Sequence, residues 1–231
     1  MPDPHLLLCD TDSLIQLFLT APHNNNLIPL RSLKDDYGIQ PTIVAEVETE
    51  LMWSRKFGSR FVPQLKKALG NGLFEILDAT TLSRHIPGHL AKGVFEACQN
   101  LGQQYNRHAD RGESYTLAAA VTLGEPALSN DKSALDALDY NGMALPSPVL
   151  RLFDLLVFSY QIGVLGEKEC DMTRKELVQL REHVPGAFRN ASFVKGLAGF
   201  CPRILDGAAA PVGSRPAPGP GYAAQVLLAR K

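Results

Sequence analysis

Five carboxylates stand where an apolar run or a loop gives way to a helix start: Asp10, Asp12, Asp110, Glu113 and Asp131. Taken singly, such an acid is a helix cap, accepting hydrogen bonds from free N–H groups at the positive end of the helix dipole. Asp110 and Glu113 even have the spacing of a capping box ahead of an alanine-rich helix. Taken together, the same acids can do chemistry. Carboxylates brought to one place repel one another unless a divalent cation neutralises them. Carboxylate oxygens with retained waters suit Mg²⁺ or Mn²⁺, and a substrate phosphate can complete the coordination shell. A centre of that kind cleaves phosphodiesters by activating bound water and stabilising charge on the leaving oxygen.

The elements that must position these acids can be read along the chain. Leu6–Cys9 is a short apolar run closed by Asp10-Thr11-Asp12-Ser13, the pattern of a buried strand feeding a helix that carries Leu14, Ile15, Leu17 and Phe18. Pro22-His23-Asn24-Asn25-Asn26 reads as a loop. Ile39-Gln40-Pro41 reads as a short strand edge, with Pro41 in the first turn of a helix that sets Ile43, Val44, Val47 and Leu51 on one side. Glu46 and Glu50 then lie near its seam. Gly70-Asn71-Gly72 turns into a strand at Leu73–Leu77, followed by a helix around Val94–Leu101. The Asp110–Leu123 helix stops at Gly124, and Pro126–Ser129 reads as a strand with a helix starting at Asp131-Lys132. Asn141-Gly142 turns into a last strand at Met143–Leu145, and helices are expected over Val149–Tyr160 and Met172–Glu182.

Strands alternating with helices predict an α/β fold with a parallel sheet. All strand carboxyl ends then share one edge, where ligands bind. Asp10 and Asp131 follow strands and belong at that edge. Glu113 starts the helix leading into the Pro126–Ser129 strand, so it reaches the edge only if the loop before it brings it there.

The chain has 231 residues, enough for one well-buried domain plus an extension. Its formal net charge is −1, so no global positive field draws in a polyanion and any nucleic-acid contact must use local patches. Cys9, Cys98, Cys170 and Cys201 are far apart and read as free thiols rather than a zinc knuckle or disulfide framework. His85 and His89 are separated by Pro87-Gly88 and read as solvated loop histidines, not a helical metal pair. Lys66-Lys67 and Arg55-Lys56 read as solvated helix charges. The start lacks a signal-peptide pattern and no run is long enough to span a membrane, so the expected location is the cytoplasm. Ala208–Tyr222 is rich in Pro, Gly and Ala and reads as flexible.

Four blocks in order carry a resemblance. LLLCDTDSLIQLFL resembles the opening of PIN-domain (PilT N-terminus-like) nucleases, an apolar strand followed by Asp and an apolar helix. IQPTIVAEVETEL resembles their second block, ADRGESYTLAAA the Gly-Glu form of the third, and ALSNDKSAL the fourth, with NGMALPSPVLRLFDLLVFSYQIGVLG similar to the closing strand and helix. The likeness spans roughly residues 5 to 185. It implies a PIN-like parallel sheet flanked by helices over 1–185, a helical extension over 186–207 and a flexible tail over 208–231. It also implies an acidic quartet of Asp10, Glu46, Glu113 and Asp131 holding Mg²⁺ or Mn²⁺, supported by Thr11, Asp12, Asp110 and Ser129. Glu48 and Glu50 compete with Glu46 for the second place.

The activity implied is a metal-dependent endoribonuclease, in the manner of bacterial toxins that a cognate antitoxin holds inactive. Expected partners are an RNA substrate, an antitoxin protein and further copies of the chain as a homo-oligomer, with no membrane. Two rivals stand beside this reading. Asp10-Thr11-Asp12, with Asp131 and Asp136, also resembles the acids of haloacid-dehalogenase phosphotransferases. That pattern, however, expects Thr or Val where Leu14 stands, offers no lysine just before Asp131, and leaves Glu113 without a role. The other rival is a degenerate PIN-like binding module, against which the retention of all four acids argues.

Overall fold

Leu6, Leu7, Leu8 and Cys9 are all buried, so both faces of the first strand are covered, as in a parallel strand between helical layers. The computed structural model describes residues 5–24, 27–53, 61–146 and 149–200. Strand β1 (His5–Cys9) leads into α1 (Thr11–Leu19) and α2 (Ile28–Tyr37), then β2 (Ile39–Val44), α3 (Ala45–Trp53) and α4 (Val62–Gly70). Strand β3 (Glu75–Leu77) is followed by α5 (Ala79–Leu82), α6 (Gly88–Tyr105) and α7 (Arg111–Leu123). Then come β4 (Ala127–Leu128), α8 (Lys132–Tyr140), β5 (Val149–Leu150) and α9 (Leu152–Gln161). The last described helices are α10 (Glu167–Gln179), α11 (Gly186–Arg189) and α12 (Phe193–Leu197).

The fold is α/β, with a five-stranded, all-parallel sheet in the order β3-β2-β1-β4-β5. The chain builds outward from β1 through β2 to β3, then returns to the other side of β1 for β4 and β5. The order therefore reverses between β1 and β4, and a crevice opens at such a switch point beyond the carboxyl ends of the strands. Asp10 N–H donates to Leu128 carbonyl at 3.1 Å and Ser129 N–H to Leu150 carbonyl at 2.8 Å, holding the ends of β1, β4 and β5 in step.

Three expectations need correction. Pro41 lies inside β2, not in a helix, and Ile43 and Val44 complete the strand. The apolar pair suits either state, and pairing on both sides decides. Leu7 lies opposite Pro41, while the ladder to β3 begins only at Thr42, so the missing proline N–H falls before it. The Gln40 side chain bridges that level, donating to the Leu73 carbonyl at 3.0 Å. Second, Met143–Leu145 forms no strand, and the last strand is Val149–Leu150, which had read as the start of a helix. A two-residue strand has no periodicity to betray it, and only β4 makes it one. Third, His85 is no solvated histidine: its side chain is buried and sits 3.2 Å from Glu75.

Helices α6 and α7 pack at very close range because Gly102 faces the Tyr115 ring, where a Cβ would come within 2.7 Å of ring carbons. Gly124, at φ +66°, ends α7 in the left-handed conformation that glycine adopts without strain. Cys9, Cys98 and Cys170 are free and buried, and burial pushes the Cys170 thiol up to about 12. Cys201 lies outside the described residues, as do Arg55-Lys56 and the 208–231 segment.

Residues 186–200 pack against the sheet domain. Phe188 stacks on Phe153 at 4.8 Å and on Phe193 at 5.2 Å. Asp171 on α10 accepts from the Phe193 N–H at 3.0 Å and from Arg174 at 2.9 Å. Among the described residues, no helix is long and apolar enough to cross a membrane.

Candidate metal centre

Each strand hands over to a helix at the carboxyl edge of the sheet. Helices α1, α3 and α8 start directly after β1, β2 and β4, and the first turn of α7 reaches the same edge. Their N–H ends face the switch point and make it favourable for negative charge. Asp10 ends β1 and caps α1, accepting from Ser13 N–H at 2.8 Å. Asp131 caps α8, accepting from Ser133 N–H at 2.8 Å and Ala134 N–H at 3.2 Å. Both acids are thus caps.

Glu113 is not. Its expected capping box with Asp110 does not form, for the Asp110 side chain makes no cap bond. The cap of α7 comes from another helix: Glu50 on α3 accepts from Gly112 N–H at 2.7 Å and from the Thr11 hydroxyl at 2.5 Å. This frees Glu113 to turn inward. It is buried, and its Oε1 accepts from the Ser129 hydroxyl at 2.9 Å. The same serine oxygen accepts from Asp131 N–H at 3.3 Å.

Electrostatics show which acids share a field. Burial raises the Glu113 carboxyl to about 9, and the charges of Asp10, Asp131 and Asp12 push the same way against the Ser129 bond. Burial likewise raises Asp10 to about 6, with Ser129 and Ser13 pulling it down and Asp12 pushing it up. Among the described residues, none of Asp10, Glu113 and Asp131 stands in an ion pair. Near neutral pH the cluster therefore holds a proton on Glu113. Asp12 is exposed in the first turn of α1 and adds its charge from the rim.

Glu46, Glu48 and Glu50 differ in what each one touches. Glu50 is engaged at both oxygens, Glu48 is half-buried, and Glu46 is buried with Oε1 3.7 Å from Arg111. Glu46 Oε2 is also buried and has no hydrogen-bond partner. Glu46 stands in the first turn of α3, after β2, with Arg111 as its counter-charge. Among the described residues, no group of three or more His, Cys, Asp or Glu side chains is drawn together closely enough to hold a metal ion.

The donor chemistry nevertheless fits a hard divalent cation. Every candidate ligand is a carboxylate or hydroxyl oxygen, one buried oxygen is orphaned, and Glu113 keeps a proton that a cation can replace. Beside the cluster runs an open polar groove of about 370 Å³, lined by Arg107, His108, Asp110, Asp131 and Ser133. Asp110, exposed at the head of α7, belongs to this groove rather than to the buried cluster.

Sequence reasoning missed three participants: Glu50 as the clamp between α1 and α7, Arg111 as the partner of Glu46, and Asn130 between Ser129 and Asp131. Glu50 is 39 residues from Thr11 and 62 from Gly112, so no local signal could reveal that clamp. Compared with protein-family models, curated proteins and solved structures, the chain finds no match.

Proposed function

We propose that this chain is a metal-dependent ribonuclease of the PIN-domain kind, using Mg²⁺ or Mn²⁺ at the switch point between β1 and β4. The observation that carries the reading is the coupling of Asp10, Glu113 and Asp131, three acids from separate parts of the chain sharing one buried field. Capping accounts for the places of Asp10 and Asp131, but it does not account for the buried carboxyl of Glu113. Glu113 weighs most, because it caps no helix and the phosphotransferase pattern leaves it idle.

Asp10, Glu113 and Asp131 would hold the cation, with Glu46 Oε2 as the orphaned fourth oxygen. The bound cation would supply a more acidic water and charge stabilisation at phosphate oxygens. The protein's own part is to orient. Ser129 fixes Glu113, the α1 and α8 caps fix Asp10 and Asp131, and Glu50 locks the start of α7 to Thr11. Arg107 and His108 line the groove next to Asp131, where they can meet phosphate oxygens of a strand leaving the centre. An antitoxin that covers this groove, a location in the cytoplasm and self-association remain part of the proposal.

The deciding experiment is cleavage of single-stranded RNA by purified protein with Mn²⁺, with chelator, and by Asp10→Asn. Asparagine keeps the cap of α1 but loses the charge. Cleavage that requires metal and disappears in a folded Asp10→Asn protein is the expected result. Undiminished cleavage by that variant would sink the assignment.

A further inference from the structure

We propose that Asn130 is the positioning residue that sets the separation of Asp10 and Asp131, an inference that rests on the metal-centre reading above. Asn130 lies between Ser129 and Asp131, in the turn from β4 to α8. Its side-chain hydrogen bonds go to Gln16 and Leu152 and not to the acids. Its side-chain amide is used at both ends, with Oδ1 accepting from Leu152 N–H at 2.9 Å and Nδ2 donating to Gln16 Oε1 at 2.9 Å. Leu152 opens α9 just after β5, and Gln16 is buried on α1.

The amide orientation is fixed by chemistry. Leu152 offers only an N–H, so the oxygen of Asn130 must face it and the NH₂ must face Gln16. Gln16 in turn points Nε2 toward Glu182 at 3.5 Å. A directed chain thus runs from α9 through Asn130 to α1 and on toward Glu182.

What this chain spans gives it a role. Helix α1 begins at its cap Asp10, so a bond to Gln16 locates the whole rigid helix and Asp10 with it. The β4–α8 turn carries Ser129 and Asp131, which flank Asn130 on either side. One amide therefore ties the segment holding Asp131 to the helix holding Asp10. Backbone hydrogen bonds join β1 to β4 as far as the Asp10 N–H on the Leu128 carbonyl, two residues before Asn130. Past Leu128, the Asn130 side chain carries the tie from the segment holding Asp131 to α1. Second-sphere hydrogen bonds of this kind commonly change metal affinity by roughly 10–100-fold.

The test measures Mn²⁺ binding to the full chain by titration calorimetry for wild type, Asn130→Ala, Gln16→Leu and the double variant. Melting temperatures in chelator are recorded alongside. Gln16→Leu breaks the tie from the far side without altering the turn, and decides the matter if Asn130→Ala does not fold. The expected result is that each single variant weakens Mn²⁺ binding about tenfold or more. The double variant should be little worse than either single one, because both break the same link. A purely structural role would lower the melting temperature and leave the Mn²⁺ dissociation constant unchanged. That outcome, or losses that add in full, overturns the positioning role while leaving the metal centre intact. Absence of Mn²⁺ binding by the wild type overturns both.

Discussion

Ser129 and Glu113 are joined by a 2.9 Å hydrogen bond, the serine hydroxyl donating to Oε1, although one follows β4 and the other sits in the first turn of α7. This bond turns Glu113 away from its own helix terminus and into the field of Asp10 and Asp131. A glutamate that capped α7 would be explained by helix stability alone. This one is not.

Glu113→Gln should therefore stabilise the protein in chelator near neutral pH, because the amide keeps an acceptor for Ser129 and needs no proton to be buried uncharged. A rise in melting temperature of about 2–4 °C corresponds to roughly 1 kcal/mol in a chain of this size. Added Mn²⁺ should raise the melting temperature of the wild type by mass action and leave the variant almost unmoved. Equal metal-induced shifts in both proteins would show that Glu113 is no ligand.

The pH dependence has a definite sign. Asp10 is raised to about 6 and Glu113 to about 9, so the native state keeps protons that the unfolded chain has already released. The stability they contribute is present at low pH and is lost as pH rises through 6 and on toward 9. Melts in chelator at half-unit steps from pH 5 to 9 should decline over that window. With saturating Mn²⁺ the decline should vanish, because the cation takes the place of the proton, and binding near pH 7 should release protons to the buffer. A chelated protein that gains stability across this range contradicts the buried cluster.

At Asp171 the sign reverses. Burial alone would raise Asp171, but hydrogen bonds from Lys175, Arg174 and the Phe193 N–H outweigh it and hold the carboxyl at about 2. Its contribution is present above the ordinary carboxylate range and is lost as pH falls toward 2. Asp171→Asn should cost on the order of 1–3 kcal/mol in urea unfolding, as charge-assisted bonds to α12 and Arg174 are broken. RNA cleavage should be unaffected. No loss of stability would mean that α12 is held by its phenylalanines alone.

Gly102→Ala probes the helix that carries Glu113. The new Cβ would meet the Tyr115 ring at 2.7 Å, and a buried ring between two helices has little room to retreat. Overpacking of this kind costs typically about 1–3 kcal/mol. Because Tyr115 lies two residues from Glu113, the variant should also weaken Mn²⁺ binding. Calorimetric melting and metal titration of the same protein check both effects, and an unperturbed variant would mean that α6 and α7 separate freely.

The amino-acid sequence alone determined the class of the fold, because a buried parallel sheet leaves uninterrupted apolar runs such as Leu6–Cys9 and helix stops such as Gly124 in plain view. It also marked Asp10 and Asp131 as residues of a strand-to-helix edge, since both roles open to them, cap and ligand, demand that same place. Pro41 and Val149-Leu150 were illegible for the opposite reason. A short strand exists only through its neighbours, and those neighbours are distant in the chain. The same holds for the acidic edge. Whether Glu113 caps its own helix depends on Ser129 and on Glu50 capping α7 in its stead. Whether Glu46 or Glu50 is left with an unclaimed oxygen depends on Thr11 and Gly112. Each of these outcomes is set by a hydrogen bond between residues 16 to 62 positions apart, and only the closed sheet brings those partners within reach.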